Sequence, residues 1–430
     1  MNKTFITSLM LLIITAVAYG QQSRKDIERD PSFAASNYKA YYGPQKKLTK
    51  APKGYTPFYI SHYGRHGSRF LIGYNSYDIT YNTLSQAQKD GKLTAKGQEV
   101  LGKVTMIRNE AQGREGELTL LGAQQHQQIA KRMMERFPEV FEGKTNIDAK
   151  STIVIRCILS MENELMQLAS MNPQLQIRSD ASHHDMYYMN NEKSEYARLA
   201  RTQKADSAYA DFQRRHTDYR HLMTVLFNDT AYVRTLVNPD NFANRLCSLA
   251  CNIQNTEMRQ KMSLYDIFTF DELYNYWLLG NAGWYSYHGP NPLNNGAGMY
   301  VQSNLLRNII QTADSCIQLP HPGATLRFGH ESDVMPLTCL MNVNGFGTPR
   351  TSLDQLDDEG WINYRVYPMG CNLQFVFYRS ANAADPVLFK LLLNEDEATL
   401  PDLKPVQGPY YKWSDFRAFF LNKIKDSVDR

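Results

Sequence analysis

The stretch that most constrains the fold of this 430-residue chain is an apolar run, Pro57-Phe58-Tyr59-Ile60, leading into Ser61-His62-Tyr63-Gly64-Arg65-His66-Gly67-Ser68-Arg69. An apolar run bounded by glycines reads as a buried strand ending in a turn. That turn carries a histidine with arginines on both sides. Guanidinium groups are planar, permanently charged forks that match phosphate oxygens. They also hold a neighbouring imidazole neutral, because a further positive charge beside them is repelled. A neutral imidazole next to a bound phosphate is a nucleophile, so the stretch predicts phosphoryl transfer through His66, with Arg65 and Arg69 around the anion. His62 and His66 also have the spacing of a metal pair on a helix, but Gly64 and Gly67 argue against a helix there. No metal or other cofactor is expected.

Strand-like and helical patterns alternate around this turn. Residues 94–112 and 119–136 read as helices, the second opening on Leu118-Thr119-Leu120-Leu121-Gly122. The β-branched run 151–157 reads as a strand with Arg156 at its end, followed by a helix from Ser160 to Ala169. Residues 323–329 read as another strand, delivering His330 and Glu331 into a helical Ser332–Met341. Further strands are expected at 362–368, 372–379 and 386–393, and a last helix at 412–425. From 173 to 321 the pattern is nearly all helical, clearest at 195–215, 240–253, 266–279 and 300–317. The order predicts an α/β fold: a mixed, mostly parallel sheet flanked by helices, built from 21–172 and 322–430 and interrupted by a large helical insertion at 173–321. Residues 21–55 read as an extended arm into the first strand. There is no internal repeat.

Met1-Asn2-Lys3, an apolar stretch from Phe5 to Val17 and the small residues Ala18 and Gly20 make residues 1–20 a signal peptide. The mature chain is therefore expected to be exported, either periplasmic or secreted. No other stretch is long and apolar enough to span a bilayer, so no membrane insertion is expected. Lysine and arginine total 47 against 43 acidic residues, a formal charge of +4 that excludes a nucleic-acid partner and makes any anion affinity local. Six cysteines in an exported chain predict at most one or two disulfides.

In open α/β sheets, ligand-handling groups gather beyond the carboxyl ends of the strands. Arg65-His66-Gly67-Ser68-Arg69, Arg156 and His330-Glu331 each occupy such a place in the predicted order. Together they resemble the histidine phosphatase superfamily, in particular its branch of histidine acid phosphatases and phytases. Leu118-Thr119-Leu120-Leu121-Gly122 is similar to that branch's helix start, and Val387–Glu395 to its C-terminal strand with Asn-Glu. A late glutamate, where most members carry His-Asp, points to the multiple inositol polyphosphate phosphatases. Those read His-Ala-Glu, whereas here Glu331 follows His330 directly. The resemblance implies that His66 takes the phosphoryl group. Arg65, Arg69, Arg156 and His330 then clamp it, and Glu331 protonates the leaving oxygen.

The helical insertion would cap the pocket and set substrate choice. Its densest basic group is Lys193, Arg198, Arg201, Lys204, Arg214 and Arg215, of which Arg198, Arg201 and Lys204 are the expected substrate contacts. The expected partner is a small phosphorylated molecule, an inositol polyphosphate such as phytate. The alternatives are a broad acid phosphatase acting on sugar phosphates and a non-catalytic phosphate-binding protein. A pure binder needs neither a nucleophile nor an acid.

Overall fold

The computed structural model describes residues 22–190 and 194–427; the expected signal peptide and Lys193 lie outside the described residues. Strands β1 (Tyr55–Arg65), β2 (Asn146–Ser151), β3 (Gln176–Ala181) and β4 (Gly323–Gly329) run parallel in the order β3-β2-β4-β1. β5 (Asn372–Ser380) pairs antiparallel with β1, and β6 (Leu388–Leu393) antiparallel with β5. The short β7 (Asp396–Glu397) and β8 (Tyr411–Lys412) both pair with β6. β1 is buried from Pro57 to Arg65 apart from its first two residues, because helices cover both faces of the sheet. A strand covered on both faces reads as an unbroken apolar run, and this is why it was visible in the sequence.

On one face, Ile60, Ile147, Leu326 and Phe328 pack beneath two adjacent helices, α4 (Leu120–Arg136) and α5 (Ile155–Met171). On the other, Tyr59 and Tyr63 join a larger core shared with a helical layer. That layer includes α6 (Gln203–His216), α7 (Pro239–Asn252), α8 (Phe270–His288), α9 (Ser303–Cys316) and α10 (Glu331–Leu340). It also draws in α2 (Asn75–Lys89) and α3 (Ala95–Ala111), which pack on α7 and on Arg220–Leu226. The helical side is thus assembled from three separate stretches of chain, 75–111, 203–316 and 331–340.

Four expectations are corrected. The strand placed at 151–157 ends at Ser151, and Arg156 lies in the first turn of α5. Ile147, Ala149 and Ser151 alternate toward the core and mark the true strand, while the β-branched residues 153–155 make a bend and a helix start under tertiary packing. The helical reading from residue 173 fails at β3, an edge strand without an apolar run. Residues 362–368 hold a short 3-10 turn, Asn363–Arg365; their apolar character reflects burial of Ile362, Tyr364, Val366 and Tyr367. The arm is not simply extended: it starts with α1 (Gln22–Arg29) and a 3-10 segment, Pro31–Tyr38. All six cysteines are unpaired, and five are buried. Among the described residues no helix is long and apolar enough to cross a membrane.

Candidate active site

The parallel register brings Arg65 opposite Gly329 and Ser151 opposite Phe328, so β1, β4 and β2 end at one edge. His66, His330 and the chain entering α5 leave the sheet side by side. The His66 amide extends the ladder by donating to the Gly329 carbonyl at 2.9 Å. A Cβ on Gly329 would collide with the Tyr63 hydroxyl, so this strand end admits only glycine.

The turn after His66 is held by a backbone-to-backbone approach. A Cβ on Gly67 would strike the Gly122 carbonyl oxygen, and one on Gly122 would strike the Ser68 backbone. Thr119 caps α4 by accepting from the Gly122 amide at 3.3 Å, and its hydroxyl donates to the Ser68 carbonyl at 3.0 Å. Leu118–Gly122 therefore supports the loop after His66 directly. From the other helix, Ser160 Oγ accepts from the Gly67 amide at 3.1 Å and donates to the Arg156 carbonyl at 2.8 Å.

His66 Nδ1 lies 2.9 Å from the Gly67 carbonyl oxygen, which can only accept, so Nδ1 carries the proton and the Nε2 lone pair is free. Nε2 is buried without a hydrogen-bond partner among the described residues and lies 3.7 Å from Glu331 Oε2. Burial, then the charges of Arg65, Arg156 and Arg69, hold the His66 pKa well below its ordinary value. The ring is neutral.

Arg65 is fully buried; its Nη1 donates to the carbonyls of Asn37 at 2.6 Å and Tyr367 at 2.8 Å. Its Nε is 2.9 Å from Glu331 Oε2, but that N–H is not aligned for a hydrogen bond. Arg65 Nη2, Arg69 Nε and Arg156 Nε are buried with no acceptor among the described residues. His330 lies 5.6 Å from His66, ring centre to ring centre, and its Nε2 is 3.3 Å from Thr152 Oγ1. Burial and then the Arg156 charge lower its pKa to about 4, against the opposing pull of Glu331. Burial alone would raise the Glu331 pKa; Arg65 and Arg69 outweigh it and bring it to about 2.

The six residues expected at the strand ends are therefore together: Arg65, His66, Arg69, Arg156, His330 and Glu331. Ligand atoms of His66, His330 and Glu331 lie within 4.8 Å of one another, but three guanidiniums surround them and repel a cation. His62 lies on β1, and its ring, whose nitrogens have no hydrogen-bond partner among the described residues, folds back over Gly64, so the helical metal pair does not form. Asp333, the next carboxylate on α10, is buried: it accepts from the His330 amide at 3.2 Å and from Gln302 Nε2 at 2.8 Å.

The insertion cations are not gathered here. Arg198 is exposed and pairs with Glu195 at 3.1 Å. Lys204 is exposed. Arg214 pairs with Asp211, and Arg215 with Asp211 and Asp354. Arg201 lies over the Tyr287 ring at 4.1 Å; burial, then the Arg201 charge, lowers the His288 pKa to about 4 while Glu331 opposes the shift. His288 stacks on Trp284 at 4.6 Å. Neither His288 nor Asn37 was signalled in the sequence. Ser160 is read in the sequence only as a helix start, whereas Thr119 and Gly122 belong to the helix start singled out there.

Residues 64–394, most of the chain, match the histidine phosphatase superfamily (branch 2). The chain belongs to this family. It is a phosphatase of the histidine acid phosphatase type, and the noncatalytic alternative is set aside. No curated protein matches its sequence. Among solved structures, it resembles the Bifidobacterium longum multiple inositol polyphosphate phosphatase in complex with inositol hexasulfate: TM-score 0.74, 18% identity, covering 90% of this chain and 97% of that one. It also resembles the D. castellii phytase (TM-score 0.68, 14% identity, 92% and 85% covered). The Hafnia alvei phytase with myo-inositol hexakis sulphate is similar at TM-score 0.55 and 13% identity, with 88% and 100% covered. At these identities the likeness is one of fold.

Proposed function

We propose that this phosphatase is exported and hydrolyses inositol polyphosphates, phytate included, through a phosphohistidine at His66. The observation that carries the reading is the His66 ring: neutral, with a free Nε2, among three guanidiniums and 3.7 Å from one carboxylate. In the first step Nε2 attacks phosphorus, the bond to the alcohol oxygen breaks, and its electron pair leaves on that oxygen. An alkoxide is a poor leaving group, so Glu331 delivers a proton as the bond breaks. Free of ligand, Glu331 is ionised; a phosphate dianion beside it raises its proton affinity and offsets the arginines. In the second step the Glu331 carboxylate takes a proton from water. The water oxygen attacks phosphorus, the P–N bond breaks, and inorganic phosphate and neutral His66 remain. Arg65, Arg69, Arg156 and His330 act on the equatorial oxygens, with donors already in place before charge develops.

Support for an inositol substrate comes from the inositol hexasulfate complexes of the fold relatives, and support for export from residues 1–20. The insertion, 173–321, would cap the pocket and set substrate choice. A second reading, a broad phosphatase of sugar phosphates, is favoured by the pairing of Arg198, Arg214 and Arg215 with neighbouring carboxylates. The test compares kcat/KM for phytate and a hexose phosphate, with rapid-quench trapping of phosphoenzyme. The expected result is a preference for phytate, an acid-labile adduct in the wild type, and neither turnover nor adduct in His66→Ala. A preference for the hexose phosphate selects the second reading; turnover by His66→Ala removes the mechanism.

A further inference from the structure

The arm that precedes β1 enters the site. The side-chain Nδ2 of Asn37 donates to Glu331 Oε1 at 3.0 Å, across 294 residues of sequence. The other carboxylate oxygen, Oε2, is the one 2.9 Å from Arg65 Nε and 3.7 Å from His66 Nε2. The two oxygens of Glu331 thus have different neighbours: Oε1 an amide N–H that donates to it, Oε2 the reacting histidine and an Arg65 Nε whose N–H is not aligned with it. The Asn37 backbone carbonyl separately accepts from Arg65 Nη1. This second contact does not depend on the side chain at position 37.

The segment carrying Asn37 is itself held. Ser36 adopts φ 53°, a left-handed conformation unusual outside glycine, and its hydroxyl accepts from buried Asn363 Nδ2 at 2.7 Å. The Tyr38 carbonyl accepts from Asn255 Nδ2 at 2.7 Å, while Asn255 Oδ1 accepts from the Ser68 hydroxyl of the phosphate loop at 2.7 Å. The Tyr38 ring lies 5.3 Å from the Arg69 guanidinium. Asn37 is therefore fixed on both sides, with its amide aimed at the carboxylate.

We propose that Asn37 is a positioning residue for the proton donor: it occupies Glu331 Oε1 and leaves Oε2 as the oxygen that carries the proton to the leaving group. This rests on the reading of Glu331 as the acid. An amide N–H bonded to one carboxylate oxygen disfavours protonation there, because it would place a second hydrogen against the donor. Without the tether the carboxylate is free to exchange its two oxygens by rotation, and the proton is presented away from the leaving group for part of the time.

The test measures kcat/KM for an alkyl phosphate and for an aryl phosphate with a good leaving group, in Asn37→Leu, Asn37→Ala and Glu331→Gln. The inhibition constant of inorganic phosphate reports whether the clamp is intact. Loss of a hydrogen bond to a charged group predicts a roughly 10–100-fold fall on the alkyl ester in both Asn37 variants. The aryl ester should fall less than about threefold, and phosphate inhibition should hold within about threefold, because neither needs the proton. In the Asn37→Leu/Glu331→Gln double variant the alkyl loss should equal that of Glu331→Gln alone. Equal falls on both esters, or none on either, would overturn the role of Asn37. If Glu331→Gln alone shows the leaving-group dependence, the acid stands and only the tether fails. If Glu331→Gln hits both esters equally, the acid reading fails and the tether with it.

Discussion

The two sides of this active site are built differently. On the sheet side, the groups are placed by backbone: strand ends in register, a Gly67–Gly122 approach too close for any Cβ, and one serine that ties α5 to the loop. On the facing side, the arm and the helical layer place side chains one at a time. Asn37 reaches Glu331, His288 lies within the field of Glu331 and Arg201, and Arg198 faces solvent with Glu195. A site made of backbone leaves little freedom for substitution, and its geometry suits the phosphoryl group that every substrate shares. A site made of separate side chains can vary with the rest of the substrate.

The largest effect should come from the sheet side. Arg156→Ala should lower kcat/KM by roughly 10²–10³-fold, the range for losing one preorganised donor to a charged transition state. The loss should be similar for phytate, a hexose phosphate and an aryl phosphate, because the clamp does not read the leaving group. A loss confined to phytate would move Arg156 to the substrate-reading side and break the contrast.

The second effect is on stability and its pH dependence. Burial, then the charges of His126 and Arg327, brings the His62 pKa to about 3, and neither ring nitrogen has a partner among the described residues. Above its ordinary value, 6.5, the ring is neutral whether the chain is folded or unfolded. As pH falls from 6.5 toward about 3, only the unfolded chain takes up this proton, so stability is lost across that window. The loss is about 1.4 kcal/mol per pH unit from this group. His66, His330 and His288 are lowered in the same direction and add to the slope. In denaturant titrations His62→Leu should gain on the wild type as pH falls through this window. A gap that does not change with pH would mean that His62 does not titrate as argued.

The smallest effect separates the insertion cations. Arg201→Ala should reduce kcat/KM for phytate by a few-fold at most, about what an exposed charge contributes, and leave a hexose phosphate unaffected. Arg198→Ala should change neither, because Glu195 already holds that guanidinium in solvent. A larger phytate loss at Arg198 than at Arg201 would reverse the placement of the substrate on this side.

Within the sequence, Arg65 to Arg69 could be read in full because the strand, the turn and the imidazole and guanidinium groups are contiguous. Their relation is set by a few backbone torsions, and the flanking glycines announce them. Arg156 was legible as a residue but misplaced, since the β-branched residues 153–155 suggested a strand where packing beneath Gly329 imposes a bend and a helix start. β3 escaped notice because an edge strand with little burial lacks an apolar pattern.

By itself, then, the sequence determined the loop that carries His66, the α/β alternation and the residue types that meet at the strand ends. Each of these is written in local order: periodicity, glycine positions and neighbouring charges. Only the tertiary structure decided that Glu331 points at His66, that Asn37 holds it, and that Arg198 stays with Glu195. Contacts spanning as many as 294 residues depend on how the arm and the helices close over the sheet, and no local pattern along the chain encodes that closure.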